Sequence, residues 1–271
     1  MENKVILITG STDGIGKQAA LEFARKGATV LIHGRNPSLG KTVLSEIRKA
    51  SQNDNVFLYI ADFASLKQVR QLADDILGKN AELDILVNNA GVYTPRRQLT
   101  EDGFEVTFAV NHLAPFLLTN LLLDLLRKSA PSRIINVSSM AHQGARIDLN
   151  DLNSTERFDA YDAYSKSKLA NLLFTFALAD RLNGSSVTVN ALHPGVIATK
   201  MLRAGFGSMG GRPVEDGAAR IAYLVNTPGS ESITGKYFVN DKEQASSSQS
   251  RDLKLQNQFW AISEKMVGLS A

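Results

Sequence analysis

Tyr164 and Lys168 stand four residues apart in Tyr164-Ser165-Lys166-Ser167-Lys168, ahead of Leu169, Leu172, Leu173, Phe176 and Ala177 at helical spacing. Residues at i and i+4 project from one face of a helix. A phenol titrates near pH 10, and an ammonium within about 4–6 Å favours the phenolate, so the pair is expected to draw the phenol toward working pH. Such a tyrosine can give a proton to, or take one from, a carbonyl or alcohol oxygen. Tyr161 competes for the role, but its fourth-on neighbour is Ser165. By itself the spacing fits a core tyrosine beside a surface lysine at least as well.

A second chemical signal lies near the N-terminus. The apolar run Val5-Ile6-Leu7-Ile8 leads into Thr9-Gly10-Ser11-Thr12-Asp13-Gly14-Ile15-Gly16 and then a helical pattern carrying Ala20, Phe23 and Ala24. Gly10 can take a positive φ, Gly14 lets the backbone approach a pyrophosphate, and Gly16 permits close helix–strand contact. The spacing is G-x-x-x-G-x-G, a variant of the common dinucleotide fingerprint. A P-loop fails, because Ser11 stands where its first glycine should be and Gln18 where Ser or Thr should follow Lys17. An acid that would hold the ribose 2′-OH of NAD is missing at the end of the second apolar run, which reads His33-Gly34-Arg35-Asn36. Arg35 is placed to meet a 2′-phosphate, so NADP(H) is favoured over NAD(H). A solvated surface arginine is the alternative.

The elements that must position these residues follow from apolar periodicity. Strands are expected at Val5–Ile8, Thr29–His33, Val56–Ile60, Ile85–Val87, Arg133–Val137, Thr188–Leu192 and Lys236–Val239, with helices between them. Strands apolar on both faces joined by helices predict an α/β fold, a doubly wound parallel sheet of the Rossmann type forming a single domain over 1–271. The stretch Leu113 to Leu126, broken by Pro115, Asn120 and Asp124, reads as a buried helix, and no transmembrane segment is expected. The short polar stretch 244–250 reads as a loop. With 30 basic against 27 acidic residues, scattered along the chain, a nucleic-acid partner is not implied. The absence of cysteine excludes disulfides and thiolate chemistry. His33, His112, His142 and His193 fall on separate segments, so no metal is expected.

The chain resembles the short-chain dehydrogenase/reductase family over nearly its whole length. The Thr9–Gly16 loop matches T-G-x-x-x-G-x-G, and Asn88-Asn89-Ala90-Gly91 matches N-N-A-G. Asn111, Ser139, Tyr164 and Lys168 match the catalytic tetrad, and Pro194-Gly195 with Thr199 matches P-G-x-x-x-T. The resemblance implies Tyr164 as general acid/base, with Lys168 lowering its pKa and holding the nicotinamide ribose. It implies Ser139 on the substrate oxygen and Asn111 holding a water that links Lys168 to solvent. Of Ser138-Ser139 the second is taken as catalytic, with Ser138 lining the nicotinamide through its backbone. Asp62 would accept from the adenine amino group, or act as a helix N-cap, with Phe63 beside it. Gly10 to Gly16, Asn89, Ala90, Gly91, Pro194, Gly195, Val196 and Thr199 complete the expected cofactor site. A small-molecule carbonyl or alcohol is the implied substrate, and a homodimer or homotetramer the implied assembly.

Within the family the chain is most similar to the retinol dehydrogenase-like branch, through Asp62-Phe63-Ala64-Ser65-Leu66, His142, Tyr164 to Asn171, His193-Pro194-Gly195 and Phe259-Trp260. A lipophilic substrate is the expectation from that likeness. Members often carry an N-terminal membrane helix that this sequence does not show, and a cytoplasmic enzyme is expected. The 25 residues from Ser139 to Tyr164 suggest an insertion over 142–160. Residues 200–212 read as a mobile apolar lid, and about 255–269 as an amphipathic helix for the core or for self-association. Two rivals stand beside the oxidoreductase. A dinucleotide-sensing regulator would have no use for a tuned phenol, and an epimerase or dehydratase of the sibling branch would need a further substrate domain.

Overall fold

A computed structural model of the chain describes residues 1–207, 210–227 and 232–269. Eight strands form one sheet in the order β3-β2-β1-β4-β5-β6-β7-β8. They are β1 (Val5–Ile8), β2 (Thr29–Gly34), β3 (Val56–Ile60), β4 (Ile85–Asn88), β5 (Ser132–Val137), β6 (Val187–His193), β7 (Lys236–Val239) and β8 (Lys242–Glu243). All pairings are parallel except β7 with β8. The expected doubly wound sheet is therefore what forms, with the seven expected strands within a residue or two of their places. β8 was not expected: Asn240 and Asp241 turn back at φ 49° and 63°, the geometry of a tight hairpin, onto only two paired residues.

Alternation along each strand sends side chains to two cores. Ile6, Ile8, Val30, Ile32, Ile85, Val87 and Ile135 face one side, covered by α1 (Gly14–Arg25), α2 (Pro37–Ser51) and α8 (Val214–Asn226). Leu7, Leu31, Leu86, Ile134 and Val189 face the other, covered by α3 (Leu66–Lys79), α5 (Ala114–Lys128), α6 (Ala160–Arg181) and α9 (Leu253–Val267). Burial on both faces is why these strands read as continuous apolar runs.

The long apolar helical stretch Val106–Lys128 is the one, among the described residues, with the length and composition to cross a membrane, and most of it is buried inside the fold. It begins as a single turn, α4 (Val106–Phe108), passes through a π turn at Ala109–Leu113, and continues as α5 (Ala114–Lys128). Pro115 has no N–H to give the carbonyl of Asn111 four residues back, and the Ala114 N–H reaches Ala109 instead. π turns of this kind recur at functional sites. After β5 come α6 (Ala160–Arg181), α7 (Lys200–Phe206), α8 (Val214–Asn226) and α9 (Leu253–Val267). Phe259 and Trp260 of α9 belong to the core, where Trp260 packs on Phe116 at 4.9 Å and under the Arg181 guanidinium at 4.2 Å.

One buried polar chain crosses the middle of the sheet. Asn88 donates to Asn136 Oδ1 at 2.8 Å and to Thr119 at 3.0 Å, and Asn136 donates to Thr175 at 2.9 Å. It ties β4 and β5 to α5 and α6, the elements that carry the candidate site. Asn136→Ala would leave buried groups without partners, and is expected to lower stability by about 1–3 kcal/mol. Urea unfolding measures this as a lower midpoint at unchanged slope, and an unchanged midpoint would contradict it.

Candidate active site

The strands on either side of the β1–β4 boundary lead their helices away to opposite faces, and a cleft opens beyond their carboxyl ends. Its volume is about 570 Å³. Gly10 takes φ 64°, and a Cβ there would lie 2.8 Å from Ala90 Cα. A Cβ on Gly16 would meet Asn89 Nδ2 at 2.5 Å and the Gly10 carbonyl at 2.6 Å. The glycines thus let the loop after β1 close against the loop after β4. Thr9 Oγ1 accepts from the backbone N–H groups of Asn89 and Ala90, both at 3.0 Å, and Asn89 Nδ2 returns a bond to the Thr9 carbonyl at 2.9 Å.

Gly10, Thr12, Asp13, Gly14, Ile15, Arg35, Asp62, Phe63, Asn89, Ala90, Gly91, Ser138, Tyr164, Lys168, Pro194 and Thr199 all line the cleft. Others expected there do not line it. Ser11 is fully buried, giving its hydroxyl to Ile8 at 2.7 Å and accepting from the His33 N–H at 2.9 Å; it braces the loop and offers no side chain to a ligand. Gly16 is buried in α1. Gly195 makes a turn at φ 97°, and Val196 pairs its carbonyl with the Arg212 N–H at 2.8 Å. Asp62 is not the helix N-cap, a place that Ser65 takes; its carboxylate accepts from the Ala64 N–H at 2.9 Å.

His33 is a cleft residue that sequence reasoning passed over. Its Nδ1 accepts from the Gly10 N–H at 3.1 Å and its Nε2 faces the Ala61 carbonyl at 3.1 Å, while its ring stacks on Phe63 at 4.4 Å. One neutral tautomer satisfies both contacts, and burial pushes its pKa down to about 4. The strand-end position His33-Gly34-Arg35 was the available signal. Gly34 is needed beside it, since a Cβ there would sit 2.5 Å from Thr12.

α6 carries Tyr164 and Lys168. Asp159 caps it by accepting from the Asp162 N–H at 2.9 Å, and nearly all of Ala163 to Ala179 is buried. Ser138 Oγ donates to the Lys168 carbonyl at 2.8 Å, locking the helix to the end of β5. Ser139 Oγ accepts from the Ala141 N–H at 3.2 Å and is near enough to Tyr164 to lower its pKa. Lys168 Nζ donates to the Val137 carbonyl at 3.0 Å and lies 5.5 Å from the Tyr164 ring centroid. Asn111, from the π turn, clamps the Val92 backbone: its Oδ1 accepts from the N–H at 2.7 Å and its Nδ2 donates to the carbonyl at 3.0 Å. A Cβ on Gly91 would stand 3.3 Å from Asn111 Oδ1 and 3.6 Å from Lys168 Nζ, so both groups border the same glycine. Tyr161, by contrast, is exposed.

The electrostatics differ from the expectation that Lys168 draws the phenol down. Burial pushes Tyr164 up to about 12, against the lowering effect of Ser139, and burial pushes Lys168 down to about 8. Each group is held toward its neutral form because burial keeps the site dry. A tyrosine that keeps its proton is fit to donate it.

Lys200–Phe206 of the expected lid are helical, Gly207 follows as the C-cap, and Ser208 and Met209 lie outside the described residues. Thr199 caps α7 by accepting from the Leu202 N–H at 3.2 Å. Lys200 pairs with Asp13 of the glycine loop at 2.9 Å. At the other end Phe206 meets Tyr93 and Tyr161, each at 6.0 Å, and Tyr93 meets Tyr164 at 5.8 Å. The insertion is pinned from below, where the buried Lys166 donates to Ser154 at 2.7 Å and to the Asp151 carbonyl at 3.1 Å.

The short chain dehydrogenase family matches residues 4–207. The chain belongs to that family. Human "Retinol dehydrogenase 13" is 43% identical to it over 99% of this chain and 86% of that protein, which places the chain in the retinol dehydrogenase-like branch. A crystal structure of an uncharacterized protein from Mycobacterium paratuberculosis superposes with a TM-score of 0.83 at 32% identity, covering 98% of this chain and 94% of that one. A short chain dehydrogenase from Escherichia coli complexed with NADPH superposes at 0.74 with 28% identity, covering 88% and 96%. The family supports oxidoreductase activity through a nicotinamide dinucleotide.

The cleft fits such a group: its size is in the range of roughly 300–1,000 Å³ common to ligand sites, and its floor is a glycine cradle that side chains would fill. The buried lysine carries a measurable consequence. The Lys168 ammonium titrates at about 8 in the folded chain and at about 10.4 when unfolded. Between these values the unfolded chain binds more protons, so rising pH favours the fold. The unfolding free energy relative to Lys168→Met is expected to rise between about pH 8 and 10, by up to about 1.4 kcal/mol per pH unit. Urea titrations across that range measure it, and a pH-independent difference would contradict it.

Proposed function

We propose that the protein is an NADP(H)-dependent oxidoreductase that interconverts a lipophilic alcohol and its carbonyl compound. The observation that carries this is Tyr164 side by side with buried Lys168 in the glycine-cradled cleft, the Lys168 Nζ 5.5 Å from the phenol ring centroid. Gly10, Thr12, Gly14 and Ile15 at the start of α1 would hold the pyrophosphate, where backbone N–H groups and the helix dipole favour an anion. Arg35, exposed at the end of β2 and lining the cleft, would meet a 2′-phosphate. Asp62 and Phe63 would border the adenine, and Ala90, Gly91, Ser138, Pro194 and Thr199 the nicotinamide end. The dinucleotide supplies or accepts the hydride.

The chain itself manages the proton. In the reducing direction Tyr164 gives its phenolic proton to the substrate oxygen while Ser139 donates a hydrogen bond to the same oxygen. Lys168 would favour the phenolate left behind, and Asn111 beside Gly91 would hold a water that links Lys168 to solvent. In the oxidising direction the same groups act in reverse. The aromatic side chains Tyr93, Tyr161 and Phe206, with exposed Met140 and Val196, would take the apolar body of the substrate. A homodimer or homotetramer belongs to the same reading and rests on family resemblance.

Tyr164→Phe tests it. Turnover of lipophilic aldehydes with NADPH is expected to fall by at least about 100-fold, the scale of one lost acid/base group, while NADPH affinity stays within about twofold. Steady-state rates with a fluorescence titration check both; a variant that keeps its rate would overturn the assignment.

A further inference from the structure

His142 and the serine-rich stretch 244–250 take no part in the chemistry above, yet the structure ties them to its centre. Gln244 to Ser250 reads in sequence as a featureless polar loop. In the fold it is pinned to the segment that follows Ser139. The Ser247 N–H donates to His142 Nε2 at 3.2 Å, and Gln249 Oε1 accepts from the Ile147 N–H at 3.2 Å. Within the stretch, Ser250 Oγ bonds Ser246 Oγ at 2.7 Å, and the Ser250 carbonyl accepts from Gln256 of α9 at 2.7 Å.

His142 is fully buried, and both ring nitrogens are used. Nδ1 lies 2.6 Å from the carbonyl oxygen of Ser139. A carbonyl can only accept and a backbone N–H can only donate, so Nδ1 carries the proton and Nε2 the lone pair. A single neutral tautomer satisfies both contacts, and burial, the largest influence on its pKa, favours that neutral form. The ring is held edge-on against Tyr237 at 5.0 Å. Ser139 meanwhile begins the 3₁₀ turn Met140–Gly144, its Oγ accepting from the Ala141 N–H at 3.2 Å, and its hydroxyl is near enough to Tyr164 to lower the phenol's pKa. The backbone that aims that hydroxyl is therefore fixed on one side by His142.

We propose that His142 is a positioning residue for Ser139: its imidazole transmits the seat of the 244–250 loop to the carbonyl of Ser139 and so holds the serine hydroxyl beside Tyr164. The inference rests on the oxidoreductase reading for its effect on rate, but not for its effect on the loop.

Three variants and two readouts test it. His142→Leu removes both bonds, His142→Asn keeps a donor near Nδ1, and His142→Gln offers its acceptor near Nε2. With NADPH and a lipophilic aldehyde, His142→Leu is expected to lower kcat by about 10–100-fold, a loss on the scale of misplaced catalytic groups. KM and NADPH affinity should stay within about threefold, and His142→Asn should recover most of the rate. Hydrogen exchange of the 244–250 amides should quicken in His142→Leu by about tenfold or more, as expected for local opening. A kcat within about twofold of wild type, or parallel losses of kcat and NADPH affinity, would overturn the proposal. If His142→Leu does not fold, a higher kcat in His142→Asn than in His142→Gln supports it and equal values overturn it. If the wild-type protein turns over no carbonyl, the oxidoreductase reading fails on its own. Exchange then decides the rest: 244–250 amides that quicken in His142→Leu, or in His142→Asn where that variant does not fold, support the tie, and unchanged exchange overturns it.

Discussion

A lysine ammonium 3% exposed to solvent is the constraint around which this site is arranged. Burying a charge is unfavourable unless it is hydrogen-bonded, and here the bond is to the carbonyl of Val137, the last residue of β5. That contact requires the middle of α6 to lie directly over the carboxyl end of the central sheet. Ser138 reinforces it by bonding the Lys168 carbonyl, and the asparagine–threonine chain beneath holds β4, β5, α5 and α6 in register. Because the sheet reverses its order between β1 and β4, the glycine loop opens into the same cleft. A dinucleotide cradle and a proton-handling pair are thereby brought together from residues more than a hundred positions apart.

α7 joins the two halves of the cleft. Its first residue, Lys200, is paired with Asp13 on the glycine loop, and its last, Phe206, rests among Tyr93 and Tyr161 on the substrate side. None of its residues is fully buried. Gly205 belongs to this arrangement, since a Cβ there would lie 3.0 Å from the Tyr93 ring. Exposed ion pairs of the Lys200–Asp13 kind are worth about 0–1 kcal/mol, which suits a segment that borders both binding regions.

Much of this was legible in the sequence because the signals were local. Val5–Ile8 or Lys236–Val239 are apolar on both faces, and such runs report a doubly covered strand with little ambiguity. The Tyr164–Lys168 spacing and the glycine loop likewise carry their geometry within a few residues. What escaped depends on contacts made at a distance. Ser11 and Gly16 sit inside the expected motif, but only the folded loop shows that they face away from the cleft. Asp62 carries a residue type that suits a helix cap, and Ser65 takes the place because its position meets the Gln68 N–H. The upward shift of Tyr164 could not be read from a neighbouring lysine, since it is set by how dry the site is. His142 and the 244–250 loop are joined across 105 residues of chain, and no local pattern announces that.

We propose that the cleft is built for a dinucleotide bearing a 2′-phosphate. Fluorescence titration of the wild-type protein and of Arg35→Ala with NADPH and with NADH tests it most directly. The wild type is expected to bind NADPH more tightly than NADH, and Arg35→Ala to weaken NADPH by about tenfold or more, a loss on the scale of a charge-assisted hydrogen bond, with NADH binding nearly unchanged. Preference for NADH, or an equal loss for both dinucleotides, would contradict it.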